Sequence, residues 1–403
     1  MGEELNTTSM KLPRIHSLDS IRGIAALTVL LNHVWESLPA SKASYDISLL
    51  HPEMKTIFSP YFLLNFSPLS VFVGGLPAVI MFFVLSGFVL SLPWHAGRIP
   101  AYRDFAVRRL FRIYLPYLMC MLGVFALGTF AQSATLNAGP WSRYWLDHPV
   151  NLKLLIQHLS IALSGNKSLD PPAWSLVHEI RISLIFPVLI LLYMRCGVRF
   201  TTILAFFLYA MIWAISKLLY HAGSNQEKTS YLWSGLMTFH YIPFFLAGIV
   251  LASYYANKKI ELSRQPALIR GALWIGAISG MSPVWWKVSS MGSQIIYGMG
   301  SILLIALSLD SPAAKKILAY PPIRWLGRVS FSLYLIHMPL LYFFLFMFSG
   351  KLPVLLSYLI ALAFIGTISE ASYRWVERPS ISLGRRFCRM SQTAQPGSRF
   401  NAV

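Results

Sequence analysis

Leu18-Asp19-Ser20-Ile21-Arg22-Gly23-Ile24-Ala25-Ala26-Leu27-Thr28-Val29-Leu30-Leu31-Asn32-His33 has the apolar content of a membrane-spanning helix, yet it holds an aspartate, an arginine and a histidine. Ionisable side chains inside a span are costly, and their presence points to function. Arg22 and His33 stand eleven residues apart. That is close to three turns, so both lie on nearly one face, about 16 Å apart along the axis. The helix would present a cation near one membrane boundary and an imidazole well across the bilayer.

The rest of the chain fits a membrane setting. Of its 403 residues 56% are hydrophobic and 12% charged, about half the charged share of a soluble domain. Helix candidates run near 18–38, 70–92, 108–131, 174–194, 200–220, 236–256, 268–286, 290–309, 328–348 and 353–376. The expected fold is all-α and polytopic, with about ten transmembrane helices. The seventh is the weakest, interrupted by Gly280, Pro283 and Lys287.

The net charge of +19 could suggest a nucleic-acid partner, and its distribution argues otherwise. With the N-terminus inside, 24 of the 34 Lys and Arg fall on inner loops or boundaries, nine outside, and Arg181 within a span. This is the positive-inside bias; it places both termini in the cytoplasm of, by expectation, a bacterial inner membrane. No nucleic-acid motif is present. Cys120, Cys196 and Cys388 have no metal-ligand spacing, and neither a metal nor a disulfide framework is expected. The first apolar run and Pro39–Ala43 have the outline of a signal peptide. Asp19 and Arg22 at its start argue against one, because cleavage would discard the Arg22/His33 pair. The expected organisation is a polar tail over 1–14, one membrane domain over 15–378 and a basic tail over 379–403.

Further charged residues recur at span boundaries. Ser86-Gly87 fits close helix packing, or alternatively a hydroxyl beside a substrate channel. Arg109 and Arg112 share one helix face, suited either to lipid headgroups or to a phosphate clamp. A long outer loop, 132–173, holds Trp141, Trp145 and an amphipathic stretch Leu152–Leu163. It ends in Asp170-Pro171-Pro172-Ala173-Trp174-Ser175-Leu176-Val177-His178-Glu179-Ile180-Arg181. The prolines suit a helix start, which puts His178, Glu179 and Arg181 in the outer part of a span. Glu179 and Arg181 do not face each other at i,i+2. Glu179 is therefore expected to meet another helix, with His33 a candidate partner. His240 reads as a helix-end residue. Tyr334 and His337 share a face in a later span, for an interhelical hydrogen bond or for chemistry. Glu377 is expected to pair locally with arginines.

Six motifs occur in order: Leu18-Asp19…Arg22-Gly23 with His33 (R-x10-H), Phe83-Val84-Leu85-Ser86-Gly87-Phe88, Arg109-Leu110-Phe111-Arg112, Trp174-Ser175-Leu176…Glu179, Leu326-Gly327…Ser330…Tyr334-Leu335…His337…Pro339, and Tyr373…Glu377-Arg378-Pro379. Together they resemble the membrane-bound acyltransferase family 3, the polysaccharide O-acetylases, over about residues 15–378. One departure is Ile182-Ser183, where many relatives carry an aromatic pair. Many relatives also carry an outer hydrolase-like domain, and none is read in these 403 residues. The resemblance implies transfer of an acyl group, usually acetyl, from cytoplasmic acyl-CoA to a hydroxyl of a sugar, polysaccharide or lipid-linked acceptor. Arg22, Arg109 and Arg112 would then hold the CoA phosphates, with Ser86 beside the channel. His33 would act as general base or acyl carrier, oriented by Glu179, while Asp19 fixes Arg22. Acceptor contacts would come from Trp174, Ser175, His178, Tyr334 and His337. A transporter or flippase using the same residues as a proton relay is the principal alternative, and a sensory or scaffolding membrane protein a third.

Overall fold

The computed structural model describes residues 15–38, 59–133, 150–160, 169–221, 226–283 and 292–393. The N-terminal tail, residues 39–58, Trp141, Trp145, Lys287 and residues 394–403 lie outside the described residues. The described chain is helical, without strands: α1 His16–Ser37, α2 Pro60–Phe66, α3 Gly75–His95, α4 Tyr102–Ser133, α5 Leu152–Leu159, α6 Ala173–His221, α7 Gln226–Ala256, α8 Ala267–Gly280, α9 Gly292–Asp310, α10 Pro312–Leu318, α11 Pro321–Phe348, α12 Val354–Ser372 and α13 Arg378–Thr393.

Seven helices among the described residues are long and apolar enough to cross a membrane. They contain α3, α4, nearly all of α6 counted as one, the apolar part of α7, α9, α11, and α12 with its continuation. The protein is thus an integral membrane protein by its helices. α1, which carries Asp19, Arg22 and Glu36, and the 14-residue α8 fall outside that set. The expected spans 174–194 and 200–220 are joined in α6, whose one non-helical residue is Gly197 (φ 75°, ψ −175°). Only glycine adopts such a backbone without strain, so one residue replaces the expected inner loop. The seventh expected span stops at Gly280 rather than 286.

Local chemistry sets the helix starts. Ser59, Asn151 and Ser311 each accept a backbone N–H of the first turn, and prolines open α2, α10 and α11; both devices suit the unpaired N-terminal amides. α5 is the helical part of the amphipathic stretch Leu152–Leu163. Tyr114 Oη donates to Leu159 O at 2.7 Å, and His158 Nε2 accepts from Leu169 N at 3.3 Å, which pins α5 to α4 and to the start of α6.

Two backbone crossings fix the core. α1 lies along α11 at Gly23 and Gly327, where a Cβ on either glycine would collide with the backbone opposite. α3 meets α7 in the same way at Gly87 and Gly248. Small residues permit such approach in membranes, so Gly87 has the packing role its motif suggested. One expectation changes here. His240 sits inside α7, fully buried, with Nε2 3.0 Å from Gln294 Oε1, because the helix continues through Pro243 instead of beginning near it. The described part of the basic tail is the helix α13. After a π turn at Tyr373–Glu377, α13 packs on α4 through Ser380, Gly384 and Cys388, the Ser380 hydroxyl donating to Phe111 O.

Candidate active site

α1, α3, α4, α6, α11 and the α12–α13 junction enclose a cavity of about 550 Å³. Its wall carries six arginines (Arg22, Arg109, Arg112, Arg328, Arg378 and Arg385) against three carboxylates (Asp19, Glu179 and Glu377). The α1–α11 crossing brings Arg22 and Arg328 to this wall, and the start of α4 supplies Arg109 and Arg112.

The carboxylates are already engaged. Asp19 Oδ1 lies 3.7 Å from Arg22 Nη1. Glu179 Oε1 accepts from Ser86 Oγ at 3.0 Å and from Arg109 Nη2 at 3.2 Å. Arg109 Nη2 also donates to Ser183 Oγ at 2.7 Å, so the Ile182-Ser183 departure serves this arginine. Glu377 is buried and accepts from Ser332 Oγ at 2.8 Å. The π turn directs it towards α11 and away from the arginines expected as its partners. Arg328 pairs with Glu370 at 3.5 Å. Among the described residues, Arg112, Arg378 and Arg385 form no ion pair, and all three are exposed at the basic end. A guanidinium outside any ion pair and facing a cavity is suited to a phosphate-bearing ligand. Arg328, Arg378, Arg385 and Glu377 were not read as site residues from the sequence. From the sequence Glu377 and Arg378 marked a charged inner boundary and Arg385 a basic tail; the α1–α11 crossing brings Arg328 to the cavity, and the π turn with α13 brings Glu377, Arg378 and Arg385.

The opposite end of the cavity is aromatic. Tyr334 and Phe82 meet edge-on at 5.6 Å. Tyr334 Oη shares a 2.7 Å hydrogen bond with Ser175 Oγ and donates to Pro172 O at 3.2 Å. Behind this pair stand two histidines, with His33 and His337 rings stacked at 5.3 Å and 25°. His337 Nδ1 faces Tyr334 O at 2.8 Å and Leu333 O at 3.1 Å. Carbonyls only accept, so the proton sits on Nδ1 and Nε2 presents its lone pair. His33 Nδ1 is 3.4 Å from Glu36 Oε2, within ion-pair distance though without hydrogen-bond alignment. Glu36, three residues on, is a further neighbour that the sequence reading passed over.

The expected Glu179–His33 link does not form. Arg109, enclosed in the protein, draws the carboxylate to itself, since a buried cation needs a counter-charge, and His33 turns to His337 and Glu36. Of the remaining candidates, Ser86, Ser175 and Tyr334 line the cavity. Trp174 and His178 do not: Trp174 packs on Tyr241 at 5.6 Å, and His178 Nδ1 bonds Thr238 Oγ1 at 3.0 Å. Arg181 donates to Ser234 and Thr238 of α7, on the face away from Glu179.

Residues 15–370 match the acyltransferase family 3 model, described as an acyltransferase domain, and the chain belongs to that family. The transport alternative finds no support in it. The provisionally named peptidoglycan O-acetyltransferase YrhL of Bacillus subtilis is 24% identical over 333 residues, 78% of this chain and 51% of that protein. The peptidoglycan O-acetyltransferase OatA of Listeria monocytogenes is 22% identical over 325 residues, 76% and 51% respectively. The O-acetyltransferase OatA of Staphylococcus aureus is 24% identical over 217 residues, 51% and 35%. The chain thus spans about half the length, or less, of these relatives. No solved structure matches it significantly.

Proposed function

We propose that the protein transfers an acetyl group from cytoplasmic acetyl-CoA, across a bacterial inner membrane, to a hydroxyl of a cell-wall polysaccharide or related carbohydrate. The observation that carries this reading is the cavity's polarity. Three guanidiniums that form no ion pair stand at one end, and a histidine pair stands behind the aromatic closure at the other.

In this account Arg112, Arg378 and Arg385 hold the donor's phosphates through charge-assisted hydrogen bonds. Arg22 and Arg328 add positive potential, while Asp19 and Glu179 orient Arg22 and Arg109. The pantetheine arm follows the cavity past Ser86 to Phe82 and Tyr334. There the acceptor hydroxyl attacks the thioester carbonyl: a C–O bond forms and the C–S bond breaks. His33 takes the hydroxyl proton as general base and returns it to the leaving thiolate, releasing CoA thiol. His337 supports the ring of His33. The charge bias and the Gly197 break favour ten crossings with both termini cytoplasmic, in a single membrane domain over about 15–378.

The test is thiol release from acetyl-CoA by purified protein in lipid, with a muropeptide as acceptor. Turnover that saturates in both substrates is expected. Absence of thiol release with acetyl-CoA, propionyl-CoA and longer acyl-CoA donors would overturn the reading.

A further inference from the structure

Asp170 is wholly buried, and neither carboxyl oxygen has a hydrogen-bond partner among the described residues. It immediately precedes Pro171-Pro172 at the entrance to α6. Its electrostatic neighbours are Tyr117 and Cys120 of α4 and Tyr334 of α11. The site is wedged between those helices: Tyr334 Oη reaches Pro172 O at 3.2 Å, and Cys120 Sγ approaches Leu335 O at 3.4 Å.

One turn along α11, a second buried atom has no partner. His337 Nδ1 is committed to backbone carbonyls, and Nε2 is unpaired at a residue with no exposed surface. His337 and Tyr334 rings lie 5.9 Å apart. Two unpartnered polar groups, a carboxyl and an imidazole nitrogen, therefore flank one tyrosine. No ion pair joins them. Around Asp170 the other polar groups are engaged: His158 meets Tyr117 Oη and Leu169 N, and the Tyr334 hydroxyl has two partners; beside His337, His33 Nδ1 also lacks a hydrogen bond. Buried polar groups in native structures are nearly always paired, and an exception calls for a reason such as strain, a catalytic role or a bound water, ion or ligand. Burial holds the Asp170 carboxyl well above the usual carboxylate range, so it carries a donor as well as an acceptor. A ligand with adjacent hydroxyls matches that pairing, whereas a lipid chain would leave it unsatisfied.

This inference rests on the acyl-transfer reading and deepens it at the acceptor end. We propose that Asp170 is an acceptor-binding residue, holding a sugar hydroxyl next to the one acylated while His337 Nε2 accepts from a second hydroxyl.

The experiment compares wild type with Asp170→Asn and Asp170→Leu, using a muropeptide disaccharide, acetyl-CoA and thermal unfolding. Asp170→Leu is expected to raise Tm, because it removes an unpartnered buried carboxyl, and to raise the disaccharide KM at least tenfold. Its acetyl-CoA Kd should stay within twofold of wild type. Asp170→Asn, which keeps a donor and an acceptor, should recover part of the lost KM. A lower Tm in both variants would assign Asp170 a structural partner and overturn the proposal, as would an unchanged disaccharide KM. Thiol release by wild type without acylation of the disaccharide would overturn this inference and leave the donor reading standing. No thiol release at all would instead fail the donor reading.

Discussion

Replacing Glu179 with glutamine removes one charge from a pair that the fold encloses and keeps its shape. At the observed 3.2 Å between Arg109 Nη2 and Glu179 Oε1, the pair attraction is about 5 kcal/mol at an effective dielectric near 20. Both side chains are largely covered, at 11% and 20% exposure. Removing one partner of such a pair costs roughly 3–5 kcal/mol. The glutamine Oε1 can still accept from Ser86 and Arg109, so a loss of about 2–3 kcal/mol is expected, at or below the bottom of that range. The decisive quantity is the coupling. A double-mutant cycle of Glu179→Gln with Arg109→Gln should give roughly 1–3 kcal/mol, whereas a cycle with His33→Asn should give less than about 0.5 kcal/mol. The assay is unfolding in a detergent–denaturant titration, with acetyl-CoA affinity measured in parallel. A larger coupling to His33 than to Arg109 would refute the assignment of Glu179 to the donor side of the cavity.

Arg112→Gln, Arg378→Gln and Arg385→Gln should each weaken acetyl-CoA binding about ten- to a hundredfold, the worth of one charge-assisted bond of ~1.5–3 kcal/mol; isothermal titration reads this, and unchanged affinity in all three would remove the clamp. Gly23→Ala drives a Cβ into the Gly327 backbone and should destabilise by about 1–3 kcal/mol, whereas Gly271→Ala, where a Cβ meets nothing within 4 Å, should be neutral or slightly stabilising in the same melt. Burial lowers the His158 pKa from 6.5 to about 4. Its neutral form is favoured in the fold, so its contribution is fully present above 6.5 and is lost as pH falls towards 4, about 3 kcal/mol in all. Stability against pH should accordingly fall less steeply over that window in His158→Asn than in wild type.

Periodic apolar runs made the helices legible in the sequence, because a bilayer demands long apolar segments whose backbone is satisfied internally. The order of the charged motifs likewise pointed to one site on α1, α4, α6 and α11. What the sequence did not disclose were choices made between helices. Glu179 had two cationic or titratable partners available, and only the packing of α4 against α6 selects Arg109. Arg378 and Arg385 read only as a charged inner boundary and a basic tail after the last span. Their place in the cavity depends on the π turn at Tyr373–Glu377, a local insertion that no hydrophobic period records. Gly197 was hidden for a similar reason: one glycine breaks a helix that composition alone splits with a longer loop.

The account places donor and acceptor on opposite faces of one membrane, and sidedness tests that most directly. Proteoliposomes with oriented protein would receive [acetyl-14C]CoA on the face carrying Arg112, Arg378 and Arg385, and muropeptide on the other. Labelled glycan is predicted in this arrangement and not when the two substrates are exchanged. Label transferred only when both substrates share one face would contradict the account.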